Sequence, residues 1–274
     1  MVATLNLIGA GHVGRVLGRL LAAQGGYTVQ QVLTRSASSA QEAVAFIGAG
    51  ESVERYDQLQ PAVVHVLAVG DDQIVPACGA LARAVPLAGC IVFHCSGALD
   101  SSQLQAARDA GAWVASVHPI RSFADPAAVA AQFAGTFCGI EGDAAALAVL
   151  TPALEAIGAQ PVPIDASAKT VYHAAAVFAS NYLVTVLDAA LRAYQAAGIP
   201  EPVARRMAQP LASESMANVF RLGAAAALSG PVARGDMVTV ERQQRAVTQW
   251  DAATGDLYRA LVAPTADLAR RKRP

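Results

Sequence analysis

Residues Leu5 to Arg19 read LNLIGAGHVGRVLGR, and the rest of the chain is organised around them. Thr4 to Ile8 is a short apolar run that suits a buried parallel strand. Gly9-Ala10-Gly11-His12-Val13-Gly14 then fits G-x-G-x-x-G, and Val13, Val16, Leu17, Leu20 and Leu21 recur at helical spacing. Gly9 lets the strand turn sharply, Gly11 lets a pyrophosphate approach the backbone, and Gly14 packs the helix close to the sheet. The helix start adds unpaired N–H groups and the positive end of its dipole. Strand, glycine turn and helix in this order point to dinucleotide binding, with Gly9, Gly11, His12, Val13 and Gly14 as the phosphate loop.

Outward from this loop, Thr28 to Thr34 is a second strand. An NAD-binding domain places an acidic residue about 20 residues past the last glycine, on the ribose hydroxyls. Here Thr34-Arg35-Ser36 stand instead, a cation among hydroxyls that suits a 2′-phosphate, so NADP is expected over NAD. Ala62 to Val69 (AVVHVLAV) is a third strong strand, and its carboxyl end, with Val69 and then Asp71, should face the cofactor. Cys90 to His94 and Ala112 to Val117 are further strands that deliver His94, Ser96 and His118 to the same sheet edge. Short strands at Ser52–Glu54, 136–140 and 160–164 and helices at 40–47 and 143–157 complete the alternation.

The pattern changes near Pro161-Val162-Pro163-Ile164-Asp165. Beyond it no strand is evident and alanine-rich helical patterns run almost to the end, about Glu201 to Leu222 and Val238 to Ala263 among them. The expected architecture is α/β, a doubly wound, mostly parallel sheet over residues 1–165, followed by an all-helical domain over 166–274. On a helical wheel of about 100° per residue, with Lys169 at zero, His173 falls near 40°, Ser180 near 20° and Asn181 near 120°. Lys169, His173 and Ser180 thus share one face of a very apolar helix, and desolvated polar groups need partners at about 1–3 kcal/mol each. Further on, Leu228 to Asp236 (LSGPVARGD) makes a shaped turn that presents Arg234 and Asp236, the latter also a candidate helix cap.

The chain has 274 residues, 54% of them hydrophobic, and a formal net charge of −1, which argues against nucleic acid or anionic membrane as a partner. Cys78, Cys90, Cys95 and Cys138 form no C-x-x-C pair and lie in apolar runs, so they read as reduced core residues of a cytoplasmic protein, not as metal ligands. The apolar stretch from Val171 to Leu191 contains His173, Asn181 and Asp188 and is expected to be a buried helix rather than a membrane span. The tail Arg270 to Arg273 reads as a solvated charge run. Alanine-rich helical faces lead to the expectation of a homodimer through the second domain.

These motifs together resemble a family of bacterial proteins with a Rossmann-like N-terminal domain and a C-terminal helical domain of unknown function, labelled NADP oxidoreductases of the deazaflavin-dependent type. The resemblance is carried by GAGHVG, FHCSGAL (Phe93 to Leu99), SVHPIRSF (Ser116 to Phe123), KTVYHAAAVFASNY (Lys169 to Tyr182) and LSGPVARGD. More distantly, the layout is similar to 3-hydroxyisobutyrate dehydrogenase, pyrroline-5-carboxylate reductase and ketopantoate reductase. In the hydroxyacid members a lysine and an asparagine four residues apart do the chemistry. Here His173 stands four residues after Lys169, and the asparagine comes at Asn181. The resemblance implies a hydride-transferring oxidoreductase with a small carbonyl, imine or hydroxy substrate, or a deazaflavin. His173, Lys169 and Asn181 would be catalytic, and the ligand would lie between the domains. Ser96 would sit near the nicotinamide, and His118, Ser180, Arg234 and Asp236 would contact substrate. The competing expectation is a nucleotide-binding sensor with the fold and without the chemistry.

Overall fold

The structure is a computed structural model that describes residues 3–271. It divides into two compact units, residues 1–177 and 178–274. The first alternates strands and helices: β1 (Ala3–Ile8), α1 (His12–Ala23), β2 (Tyr27–Leu33), α2 (Ala37–Ile47), β3 (Glu51–Val53), β4 (Val64–Leu67), α3 (Ile74–Ala84), β5 (Ile91–His94), α4 (Gln105–Asp109), β6 (Trp113–Pro119), α5 (Pro126–Ala131), β7 (Phe137–Gly142), α6 (Ala144–Ala156), β8 (Gln160–Pro163) and α7 (Lys169–Val177).

The eight strands form one sheet in the order β3-β2-β1-β4-β5-β6-β7-β8. All neighbouring pairs are parallel except β6 and β7. The first six therefore keep the 3-2-1-4-5-6 order of a doubly wound dinucleotide fold, whose ligand crevice opens where the order reverses, at β1 and β4. Alternate residues of each strand feed two cores. Leu5, Leu7, Val66, Phe93 and Ala115 pack with α1, α5 and α6 on one face. Ile8, Leu67, Val92 and Val114 pack with α3 and α4 on the other. Burial on both faces explains why these strands read as continuous apolar runs.

The sheet ends in different ways. β3 has only three residues. In β8, Gln160 N donates to Thr136 O and Ile164 N to Ile140 O. Backbone amides alternate sides along a strand, so positions 161 and 163 face outward, and both are proline.

The second unit is helical: a wide, π-type turn over Phe178–Tyr182, then α8 (Leu183–Ala196), α9 (Glu201–Leu222), α10 (Ala224–Ala227), α11 (Pro231–Arg234), α12 (Met237–Trp250) and α13 (Ala252–Arg271). Three expectations need correction. The helix read as running from Val238 to Ala263 breaks at Asp251, whose carboxylate accepts from Thr254 N at 2.7 Å and so starts α13. The stretch Val171 to Leu191 holds no buried residue. By length and composition alone, the helical run Ala166–Ala196 that contains it is apolar enough to cross a membrane. Third, the compact units divide after Val177 rather than near Asp165, because α7 is tied to the sheet through Lys169 and Tyr172. Lys272 and Arg273 of the basic tail lie outside the described residues, while Arg270 and Arg271 both pair with Asp267.

Candidate functional site

The glycine loop follows β1 directly. Gly9 has φ +81°, and a β-carbon there would lie 2.6 Å from Ala68 O. At Gly14 a β-carbon would lie 2.7 Å from Gly9 O and 2.9 Å from Ala68 Cβ. Both glycines are thus fixed by packing of loop and helix against the end of β4. Gly11 differs: a β-carbon there meets nothing within 4 Å. Nothing in the protein requires glycine at that position, so the requirement points to a ligand approaching the backbone. Gly11 caps α1 without a side chain, and the first intrahelical bond runs from Arg15 N to Gly11 O. The amides of His12, Val13 and Gly14 are therefore free of helical partners, as an anion site needs.

In front of this helix end lies a cleft of about 260 Å³. Gly11, His12 and Val13 form one side, Val69, Gly70 and Asp71 another, and Cys95 and Ser96 a third. At the end of β2, Arg35 is exposed and Ser36 caps α2 by accepting from Ser39 N at 3.3 Å. Thr34 Oγ1 donates to Ser36 O at 2.8 Å. The free α1 amides at the cleft are of the kind that holds a dinucleotide's pyrophosphate.

A polar row crosses the sheet beside the cleft. His94 on β5, Ser116 on β6 and Glu141 on β7 are register partners, and all three are buried. The loop from Cys95 to Ser101 folds over this row. Ser96 N donates to His94 Nδ1 at 3.1 Å, which leaves Nε2 to donate to Asp100 O at 2.9 Å. Burial holds the His94 pKa down to about 4, so this imidazole is neutral. Ser96 Oγ accepts from Ala98 N and Leu99 N, and both Ser101 N and Ser101 Oγ donate to Glu141 at 2.8 Å. Lys169 enters from α7, only 2% exposed; its ammonium donates to Ser96 O at 3.0 Å and to Ser116 Oγ and lies 3.9 Å from Glu141 Oε1.

Three rings stand next to this loop. His118 Nδ1 and the Tyr172 hydroxyl are 2.8 Å apart. The His118 ring also makes an edge contact with His173, with centroids 5.4 Å apart. Burial, with His173 and Lys169 nearby, lowers the His118 pKa to about 4, and burial raises that of Tyr172 to about 12. With the imidazole neutral and the phenol protonated, this contact forms either with Tyr172 donating to Nδ1 and the His118 proton on Nε2, or with Nδ1–H donating to the phenol oxygen. Two glycines admit these rings. A β-carbon on Gly97 would overlap His173 Nδ1 and come within 2.8 Å of His118 Nε2, and one on Gly139 would overlap the Tyr172 hydroxyl. His173 Nδ1 is buried and has no hydrogen-bond partner within the protein. A buried ring nitrogen in that state costs about 1–3 kcal/mol unless something fills the gap.

Residues 3–119 match a Rossmann-like domain, and residues 136–265 match the domain of unknown function DUF2520. The comparison with curated proteins gives no match. Among solved structures, a candidate NADP oxidoreductase from Bacteroides fragilis superposes with a TM-score of 0.79 at 20% identity, covering 97% of this chain and 98% of its own. A Thermotoga maritima protein gives 0.72 at 26% identity, covering 98% of this chain and 100% of its own. An imine reductase from Myxococcus stipitatus in complex with NADP+ gives 0.66 at 17%, covering 98% and 93%.

The first unit brings several of the expected site residues together, and others belong to the second unit. Gly11, His12, Val13, Val69 and Ser96 share the cleft, and Lys169, His118 and His173 meet around the Ser96–Gly97 loop. Ser180 and Asn181 are exposed and belong to the second unit. The wheel that aligned Ser180 with Lys169 assumed unbroken α-helix, and the wide turn over Phe178–Tyr182 changes the phase. Arg234 and Asp236 also lie in the second unit, and Asp236 caps α12, accepting from Thr239 N at 3.1 Å. Among the described residues no cluster of His, Cys, Asp or Glu could hold a metal ion. Glu141, Ser116, Gly97 and Tyr172 were not singled out in the sequence as site residues. The one available signal was Glu141, a carboxylate in the apolar strand FCGIEG.

Proposed function

We propose that this protein is an NADP-dependent oxidoreductase that transfers a hydride between the nicotinamide and a small carbonyl, imine or hydroxy compound. The observation that carries the reading is the open position over Gly11, at the free amides of α1, in a cleft that continues to Ser96. The next residue, Gly97, touches His118 and His173. The fold likeness to an imine reductase bound to NADP+ supports it. Arg35 favours NADP over NAD.

The nicotinamide, when bound, supplies or accepts the hydride. The chain's own part is to hold the phosphates on the α1 amides, to fix the Ser96 loop, and to manage a proton. His173 Nδ1, like both ring nitrogens of His65 inside β4, has no protein partner, and it packs against Gly97 beside the cleft, so it is the atom placed to exchange a proton with substrate. With Tyr172 donating to Nδ1, neutral His118 offers its Nε2 proton as a hydrogen-bond donor. Lys169 has its donors engaged by Ser96 and Ser116 and acts as a tie rather than as an acid. The sensor reading draws support from that same engagement, since it removes the lysine that does the chemistry in the hydroxyacid dehydrogenases.

We place the protein in the cytoplasm as a homodimer whose helical unit covers its apolar faces with a second copy. The test is to titrate NADPH and NADH and then to follow NADPH consumption with a panel of imines, keto acids and a deazaflavin. Turnover of any of them supports the enzyme. Binding of NADPH without turnover by a panel that includes the native substrate class favours the sensor, and no binding of either dinucleotide overturns both.

A further inference from the structure

The buried pair Lys169–Glu141 has no place in the chemistry above, yet it grips the loop that lines the cofactor cleft from two sides. The Lys169 ammonium holds Ser96 O and Ser116 Oγ. The Glu141 carboxylate holds the backbone and the hydroxyl of Ser101. The two charges face each other at 3.9 Å, nearly withdrawn from solvent. Between the two anchors lie Gly97, against which His118 and His173 pack, and the Ala98 and Leu99 amides held by Ser96 Oγ. We propose that Glu141 is a positioning residue, keeping Lys169 charged so that the pair clasps the Cys95–Ser101 loop in its cofactor-binding shape and gives dinucleotide affinity an alkaline limit. This rests on the dinucleotide reading of the cleft.

The groups facing the ammonium come from every element packed against it. Glu141 comes from β7 and Ser116 from β6, Ser96, Cys95 and Asp100 from the loop after β5, and Asp71 from the turn after β4. His94 and His118, both neutral, stand close by. On its own helix α7 carries Tyr172 and His173. Burial lowers the Lys169 pKa below 10.5, and Glu141 is the first of the opposing charges that raise it again. Remove the Glu141 charge and only the weaker, more distant carboxylates resist burial. The amine then loses its proton at a lower pH. The neutral amine still donates hydrogen bonds, but charge-assisted ones are roughly twice as strong as neutral ones.

Glu141→Gln keeps the shape of the carboxylate and its reach to Ser101 while removing its charge. NADPH affinity, followed by nicotinamide fluorescence from pH 6.5 to 10, should weaken above an alkaline limit in the wild type. In Glu141→Gln that limit should move about 1–3 pH units downward, with affinity at pH 6.5 within about threefold. Lys169→Arg, always charged, should lose the limit. Ser101→Ala should weaken binding at all pH values alike and leave the limit in place. In parallel, amide exchange of Ser96, Ala98, Leu99 and Ser101, normalised to β1 and β4 amides, should show the same shift in the free protein. A limit unmoved by Glu141→Gln, or retained by Lys169→Arg, overturns the proposal. Wild-type protein that binds neither NADPH nor NADH overturns the dinucleotide reading instead, and the exchange profile then decides the clasp by the same criterion. If Glu141→Gln does not fold, Lys169→Arg and Ser101→Ala carry the test.

Discussion

Leu5, Leu7, Val66 and Val114 of the sheet unit are wholly withdrawn from solvent, whereas Leu211, Val238 and Phe220 of the helical unit are 61%, 77% and 90% exposed. The contrast holds across the chain: among the described residues of the helical unit only Ala204, Val240, Thr254, Gly255 and Ala269 are buried. The sheet unit closes two cores of its own, because a parallel sheet with helices on both faces leaves no apolar face over. The helical unit presents apolar side chains at sites where a monomer would carry polar ones. An exposed apolar surface of that kind marks an interaction surface. The difference separates two kinds of surface: the sheet unit buries its apolar side chains in cores of its own, and the helical unit leaves many of its own exposed.

The sharpest way to break this division is to remove the buried, unpartnered ring nitrogen that packs against the Gly97 loop, His173 Nδ1. His173→Ala should lower kcat by about 10²–10⁴ if it moves a proton in the chemical step. NADPH affinity should stay nearly unchanged, because the α1 amides and Arg35 hold the dinucleotide, and a titration beside a steady-state assay checks both. Full activity would take His173 out of the mechanism.

Next in size is the helical unit. Phe220→Asp together with Val238→Asp should weaken self-association by about 2–4 kcal/mol, the range of a central interface residue. Light scattering should give twice the 28.1 kDa chain mass for the wild type and about one chain mass for the variant. A wild type already at the chain mass at micromolar concentration rules out the dimer.

Arg35→Ala tests the specificity end of the cleft. A charge-assisted bond contributes about 1.5–3 kcal/mol, so NADPH should bind about 10–100-fold more weakly while NADH is unaffected. Equal losses for the two dinucleotides would place Arg35 away from the 2′-phosphate.

A separate test is the response to acid. All five histidines fall in the sheet unit, and burial holds His65, His94 and His118 near a pKa of about 4 against 6.5 when exposed. Below pH 6.5 the unfolded chain takes up protons that the folded unit refuses until about pH 4, so stability falls as pH drops through this window. Calorimetry should show the sheet unit melting more than about 10 °C lower at pH 4.5 than at pH 7. A transition that does not move would mean that these histidines are solvated.

The path from sequence to fold was short where the signal is local. The glycine loop and the strands β1, β2, β4, β5 and β6 could be read from apolar runs and the turn residues that bound them, with ends off by at most two residues. His118 and Ser96 followed from strand ends alone. Glu141 and Tyr172 did not, because their roles depend on long-range register. Ser116 meets Glu141 only because β7 runs antiparallel to β6, and no periodicity announces a strand's direction. The phase of Ser180 was illegible for a different reason: one wide turn shifts a helical wheel, and the sequence FASNY carries no glycine or proline to mark it.

Pro161 and Pro163 on the outer edge of β8 have a consequence for behaviour in a crowded solution. A free sheet edge is a template on which another chain can pair through its backbone, and the usual result is aggregation. Here the two outward-facing positions carry no N–H, so an approaching strand finds acceptors without donors. Along this edge the sheet therefore offers a poor template for a further strand, from this chain or another.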